Sequence, residues 1–231
     1  MKLVHSEWAE FFEENQKLLD RILKRVSISC TPEPEKIFTF ARCGVSDRKV
    51  IILGQDPYPQ PGIATGRAFE VGTLQSWSQP FRQISLRNIM RAVYHVYTPN
   101  MEILSFQEIK RKIEAGDFPI LPPNQLFEDW ERQGVLLLNT ALTCKPGKPG
   151  SHAALWEPFT QKLLSFVNRR APQAVWFIWG SHAARYLPLI TGKTYCSRHP
   201  MMCSEQYEDD FLKNPCFLET ADRIYWAGAP K

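Results

Sequence analysis

The sequence predicts an α/β fold with helices on both faces of a parallel sheet. Four short apolar runs recur along the chain: "KVIIL" (49–53), "GVLLLN" (134–139), "AVWFIW" (174–179) and "TYCS" (194–197). The first three are too short for helices and rich in β-branched or aromatic residues, as buried parallel strands are. Each of those three also follows a helical pattern, and strands alternating with helices wrap a sheet on both sides.

Taken in order, "HSEWAEFFEENQKLLDRILKRV" sets Trp8, Phe11, Phe12, Leu18, Leu19, Ile22 and Leu23 at spacings of three and four, which predicts an amphipathic helix capped by Ser6. "TPEPEKIF" follows as a proline-set loop before the first strand. Beyond that strand, "SLRNIMRAVYHVY" has helical spacing, and "SFQEIKRKIEAG" is a helix opened by a Ser105–Glu108 capping box and closed at Gly116. The latter, with "DFPILPPNQLFEDW" after it, elaborates the basic unit. "EPFTQKLLSFVNRR" supplies the helix before the third strand. No repeat or low-complexity segment interrupts the pattern.

At 231 residues, 44% of them apolar, the chain suits one domain with a core that folds without metals or disulfides. "MKLVHSEWAEFFEENQ" lacks an apolar signal region and no later run approaches a membrane span, so a soluble, unsecreted protein is expected. Cys30, Cys43, Cys144, Cys196, Cys203 and Cys216 form no C-x-x-C pair, which predicts reduced thiols in a reducing compartment. The gaps between Cys196, His199, Cys203 and Cys216 are too irregular for a metal site. A net charge of +4 is compatible with a polyanionic partner without establishing one.

Ligands of an open parallel sheet bind beyond the carboxyl ends of its strands. Here those ends carry "GQDPYP", Asn139 with "NTALTC", "GSHAA" and "RHPMMCS", which bring an Asp, a Tyr, an Asn and a His to one crevice. Each alone has an ordinary explanation in turns and loops; together they mark a site. Asp56 precedes Pro57 and Tyr58 precedes Pro59, so both are driven into extended backbone beside rings of fixed φ. The loop is therefore stiff, and both side chains are aimed in advance, as an electrostatic site requires.

These residues carry a resemblance. "TPEPEKIFTF", "VIILGQDPYPQPGIATGRAFEV", "SLRNIM", "GVLLLNTALT", "GSHAALWEPFT", "FIWGSHA" and "HPMMCS" occur in the order found in family 1 uracil-DNA glycosylases, which the chain resembles over most of residues 5–205. The resemblance implies a three-layer α/β/α sandwich around a four-stranded parallel sheet. It also implies hydrolysis of the uracil–deoxyribose bond in base excision repair, on single- or double-stranded DNA, with no metal or cofactor. Asp56 would orient water and stabilise the cationic sugar, while His199 would donate to uracil O2. Asn139 would read the base edge, Phe69 would stack on the flipped base, Tyr58 would stand against C5, and Gln55 would line the pocket. Pro32 and Pro34, Ser85, and Gly180 with Ser181 match the family's backbone clamps.

Three departures accompany the match. Pro59 stands where the family has His, "HPMMCS" puts Cys203 and Met202 where a Leu wedge is usual, and residues about 97–130 form a longer insertion. Lys110, Arg111 and Lys112 of the insertion read as a solvated helix face. A monomer in the cytoplasm, or in the nucleus of a eukaryote, is expected. The competing expectation is a protein that binds uracil or abasic DNA with little turnover; Asp56, which mere binding does not need, argues for catalysis.

Overall fold

The computed structural model describes residues 4–26, 29–98, 100 and 102–228. Strands β1 (Val50–Gly54), β2 (Val135–Asn139), β3 (Val175–Trp179) and β4 (Thr194–Ser197) form one all-parallel sheet in the order β2-β1-β3-β4. The chain leaves β1 for one edge of the sheet and β3 for the other, so the order reverses between β1 and β3. Side chains that alternate along each strand separate two cores. Val50, Ile52, Val135, Leu137, Phe177 and Tyr195 pack beneath α3 (Ile84–Val96), α4 (Phe106–Ala115) and α5 (Pro123–Gln133). Ile51, Leu53, Leu136, Leu138, Trp176 and Ile178 pack against α1 (Ala9–Glu14), α2 (Gln16–Leu23) and α6 (Ala153–Arg170). The arrangement is the α/β/α sandwich expected, and its strands fall within a residue of the apolar runs.

Several local details differ from expectation. The N-terminal helix is not continuous and Ser6 does not cap it: a 3-10 turn spans Ser6–Trp8, and the His5 ring accepts the Glu7 N–H. The helix then breaks at Asn15, whose side-chain amide donates to the Phe11 carbonyl at 2.8 Å. Such a side chain competes with the helical ladder for backbone partners. Helix α6 begins at Ala153 and carries Pro158 inside it. Within residues 97–130, Pro99 and Met101 lie outside the described residues. The Ser105–Glu108 capping box and the left-handed Gly116 are both present. Lys110 is tied to the Ser78 carbonyl at 2.7 Å, and so is not simply solvated.

Candidate active site

Gly54 and Asn139 are paired at the carboxyl ends of β1 and β2. A Cβ at residue 54 would lie 2.3 Å from Asn139 Oδ1 and 2.9 Å from Ala68 Cβ, so glycine ends the apolar run to leave room for the amide. Asn139, the last residue of β2, is only 4% exposed. The next turns are stitched together: the Gln55 carbonyl accepts from Ala141 N–H and Thr140 Oγ1, each at 2.9 Å. The Gln55 side chain itself is exposed.

Asp56 is half-buried, and its Oδ2 accepts the backbone N–H of Gly150. Burial raises its pKa and the Gly150 N–H opposes that shift, with a net rise. The same loop returns at Gly147, whose N–H meets the Pro59 carbonyl at 2.8 Å, so residues 145–151 grip both ends of the Asp-Pro-Tyr-Pro turn. Tyr58 hangs between two anchors. Its carbonyl accepts from Thr31 Oγ1 at 2.9 Å and its hydroxyl donates to the Phe69 carbonyl at 3.4 Å. Burial drives the phenol pKa up, so it stays neutral.

Phe69 takes a φ of +66°. Its ring lies 5.5 Å from Trp179 and 6.0 Å from the His199 ring, centroid to centroid. His199 caps the 3-10 turn Pro200–Met202, with Nδ1 accepting the Met201 N–H at 3.2 Å. That bond places the proton of the neutral ring on Nε2. Burial lowers the His199 pKa, which favours that neutral form. Gly180 (φ +85°) approaches so closely that a Cβ there would lie 2.9 Å from His199 Cβ.

The remaining sequence-derived residues sit in loops and at the starts of helices. Pro32 is buried after a cis bond from Thr31, while Pro34 is exposed at the start of a 3-10 turn. Ser85 is half-buried in the first turn of α3, and Ser181 is exposed. Asn88, one turn beyond Ser85, donates to the Pro200 carbonyl at 2.7 Å and joins α3 to the His199 loop. Cys203 faces inward: Sγ donates to the Pro200 carbonyl at 3.3 Å, and the residue packs against the core under α3. The outward apolar side chains are Met201 and Met202, 56% and 53% exposed. A cleft of about 560 Å³ runs past Gly180, Ser181, Arg198, His199 and Met202. Among the described residues no cluster of three or more His, Cys, Asp or Glu could hold a metal ion, and no helix is long and apolar enough to cross a membrane.

Sequence reasoning did not reach Gly150, Thr140 or Met201. Gly150 acts through its backbone, Thr140 through a hydroxyl turned onto a carbonyl, and Met201 reads like any loop residue.

The chain is similar to known proteins along most of its length. The model of the uracil DNA glycosylase superfamily matches residues 40–223. A uracil-DNA glycosylase of Salmonella arizonae is 35% identical over 70% of this chain, which spans 61% of that relative's length. One from Deinococcus radiodurans is 32% identical over 95% of this chain and 79% of its own length. A crystal structure of wild-type UNG from Nitratifractor salsuginis superposes with a TM-score of 0.72 at 23% identity, covering 95% of this chain and 90% of the other, and so shares the fold.

Proposed function

Because the chain belongs to the uracil DNA glycosylase superfamily, we propose that it hydrolyses the N-glycosidic bond of deoxyuridine in DNA and leaves an abasic site for base excision repair. The observation that carries this is the pairing of a half-buried carboxylate, Asp56, with a neutral imidazole whose free Nε2–H belongs to His199. Departure of uracil makes an oxocarbenium-like sugar and an anionic base, and a site fixed in advance with a carboxylate for one and a donor for the other lowers the barrier.

In this reading the flipped uracil lies against the Phe69 ring. Asn139 donates to O4 and accepts from N3–H, a pattern that cytosine reverses. Tyr58 fills the space next to C5 where thymine carries a methyl group. His199 Nε2–H meets O2 as negative charge grows there, and no proton need be transferred. Asp56 holds the attacking water on the sugar side; its Gly150 bond leaves the second oxygen of the carboxylate for that task. Pro32, Pro34, Ser85, Gly180 and Ser181 press on phosphates, and the exposed Met202 enters the gap left in the base stack. The protein acts as a monomer in the cytoplasm, or the nucleus of a eukaryote, and needs no cofactor.

The test is incubation with an oligonucleotide containing one uracil, followed by alkali. Strand scission only after alkali is expected, as a glycosylase without lyase action produces. Stoichiometric binding with no alkali-labile site would instead favour a uracil- or abasic-DNA-binding protein, the reading that the replacement of the usual His by Pro59 keeps in view.

A further inference from the structure

Between Gly66 and Glu70 the backbone enters the left-handed region twice, and the two steps are built differently. At Gly66 (φ +89°) a Cβ would lie 2.0 Å from the Lys36 carbonyl, so only glycine fits. At Phe69 (φ +66°) a bulky aromatic residue holds the same disfavoured conformation. Such a residue stays there only where its surroundings over-determine it.

Buried ion pairs grip both flanks of Phe69. Arg67 Nη1 meets Glu70 Oε2 at 3.1 Å, and Arg67 Nη2 meets Glu131 Oε2 of α5 at 2.7 Å. Their side chains are 14%, 7% and 6% exposed, so solvent screens these contacts little. Thr65 Oγ1 donates to the same Glu70 oxygen at 2.5 Å and accepts the Arg67 N–H at 3.2 Å. Between the flanks, Ala68 N–H reaches the Leu137 carbonyl of β2 at 3.3 Å. The far end is fixed as well, since Arg48 Nη1 donates to the Glu131 and Val135 carbonyls at 2.9 and 3.2 Å. Burying three charges contributes little net stability. Its consequence here is positional: directional bonds two residues before and one residue after Phe69, referred to α5 and β2.

We infer that Arg67, Glu70 and Glu131 are positioning residues that hold the Phe69 ring in its left-handed, base-stacking pose beside His199. The inference rests on the proposed uracil site but does not follow from it, because stacking by Phe69 could be served by a relaxed loop. Arg67 spans two carboxylates with a planar fork, which a lysine cannot do. Once the grip is released, the preference of a non-glycine residue for φ < 0 draws the ring away, by a population factor on the order of ten to a hundred.

The experiment is a double-mutant cycle. Turnover on a uracil oligonucleotide and affinity for free uracil are measured for wild type, Arg67→Met, Phe69→Ala and the double variant, with Glu70→Gln as a second, less disruptive break of the network. The expected result is a loss of about tenfold in kcat and in free-uracil affinity for Arg67→Met and for Glu70→Gln, with duplex binding retained. In the Phe69→Ala background the same changes should cost less than about twofold. Arg67→Lys should rescue only part of the loss. Equal fold-losses with and without the Phe69 ring would overturn the inference, as would full activity of the variants. If wild type itself released no uracil, the assigned activity would fall, while the free-uracil affinities would still decide the positioning role.

Discussion

Replacing Gly180 by alanine tests the site where its geometry is tightest. The new Cβ would meet His199 Cβ at 2.9 Å and His199 Cα and Cδ2 at 3.5 Å. Carbon atoms pack at about 3.5 Å or more, so the two residues must separate by about 0.6 Å. Alanine also pays for a left-handed φ of +85°, a strain of about 1–2 kcal/mol. That strain should lower the unfolding midpoint without altering the cooperativity. The displacement matters more. The His199 ring is placed by one bond, from the Met201 N–H, and lies against Gly180, so the imidazole should absorb most of the shift. Misplacement by 1 Å can cost about a hundredfold in rate, and 0.6 Å corresponds to roughly ten- to twentyfold. Single-turnover release of uracil from a short duplex measures this directly, with His199→Leu as the reference background. In that background Gly180→Ala should add less than about twofold, because no imidazole remains to misplace. A full tenfold loss in the absence of His199 would refute the argument and assign Gly180 to DNA contact alone.

Further expectations concern pH, selectivity and the base stack. His199 has a lowered pKa, so its neutral form should persist below the ordinary imidazole range of about 6.5; an activity profile breaking at or above that value would contradict it. The same shift means that the unfolded chain takes up a proton before the folded one does, so His199 should weaken the fold as pH falls below about 6.5, an effect that His199→Leu should remove from urea midpoints. Asp56 has the opposite linkage. Its raised pKa makes the fold less stable as pH rises from about 3.9 through the folded value, and Asp56→Asn should raise the urea midpoint at neutral pH. Tyr58→Ala should open room for a 5-methyl group and give measurable thymine release, and Asn139→Asp should shift some activity to cytosine; strict uracil specificity in both would move the pocket walls elsewhere. Met202→Ala should slow release from duplex several-fold more than from single strands, and an unchanged ratio would relieve this loop of the wedge role.

Most of the architecture was legible because strand burial and helix amphipathicity write themselves into the chain with different periods. Val50 to Leu53 is buried on both faces, so a continuous apolar run announces it. The same holds for residues 135–138 and 175–179. The Ser105–Glu108 capping box was readable because both of its partners lie within one turn. What escaped were features carried by backbone or by pairs distant in sequence. His5 replaces Ser6 as the cap through a ring nitrogen, a rarer acceptor than the hydroxyl that the sequence pattern favours. The bonds from Gly150 to Asp56 and from Gly147 to Pro59 use main-chain groups that any residue type would display. Arg67 and Glu131 are 64 positions apart, and nothing local marks them as a pair.

In the proposed reaction Asp56 and His199 face opposite electrostatic demands, and the fold meets them by different means. Both Asp56 and His199 lose solvation, which on its own favours their neutral forms. A neutral imidazole is useful as a donor to a developing anion, so burial of His199 needs no counterweight. A neutral carboxyl would be useless beside a developing cation, so Asp56 does need one. The loop at 145–151 provides it with the Gly150 N–H, a partner without net charge. A lysine or arginine in that place would hold the carboxylate ionised more firmly, but it would also cancel the field that the sugar is meant to feel. A backbone dipole supports the negative charge and leaves most of that field available. On this reasoning Pro59 offers Asp56 no side-chain donor or charge, and the carboxylate depends on Gly150. Disturbing that loop should therefore raise the Asp56 pKa further and carry the acid limb of the activity profile upward with it.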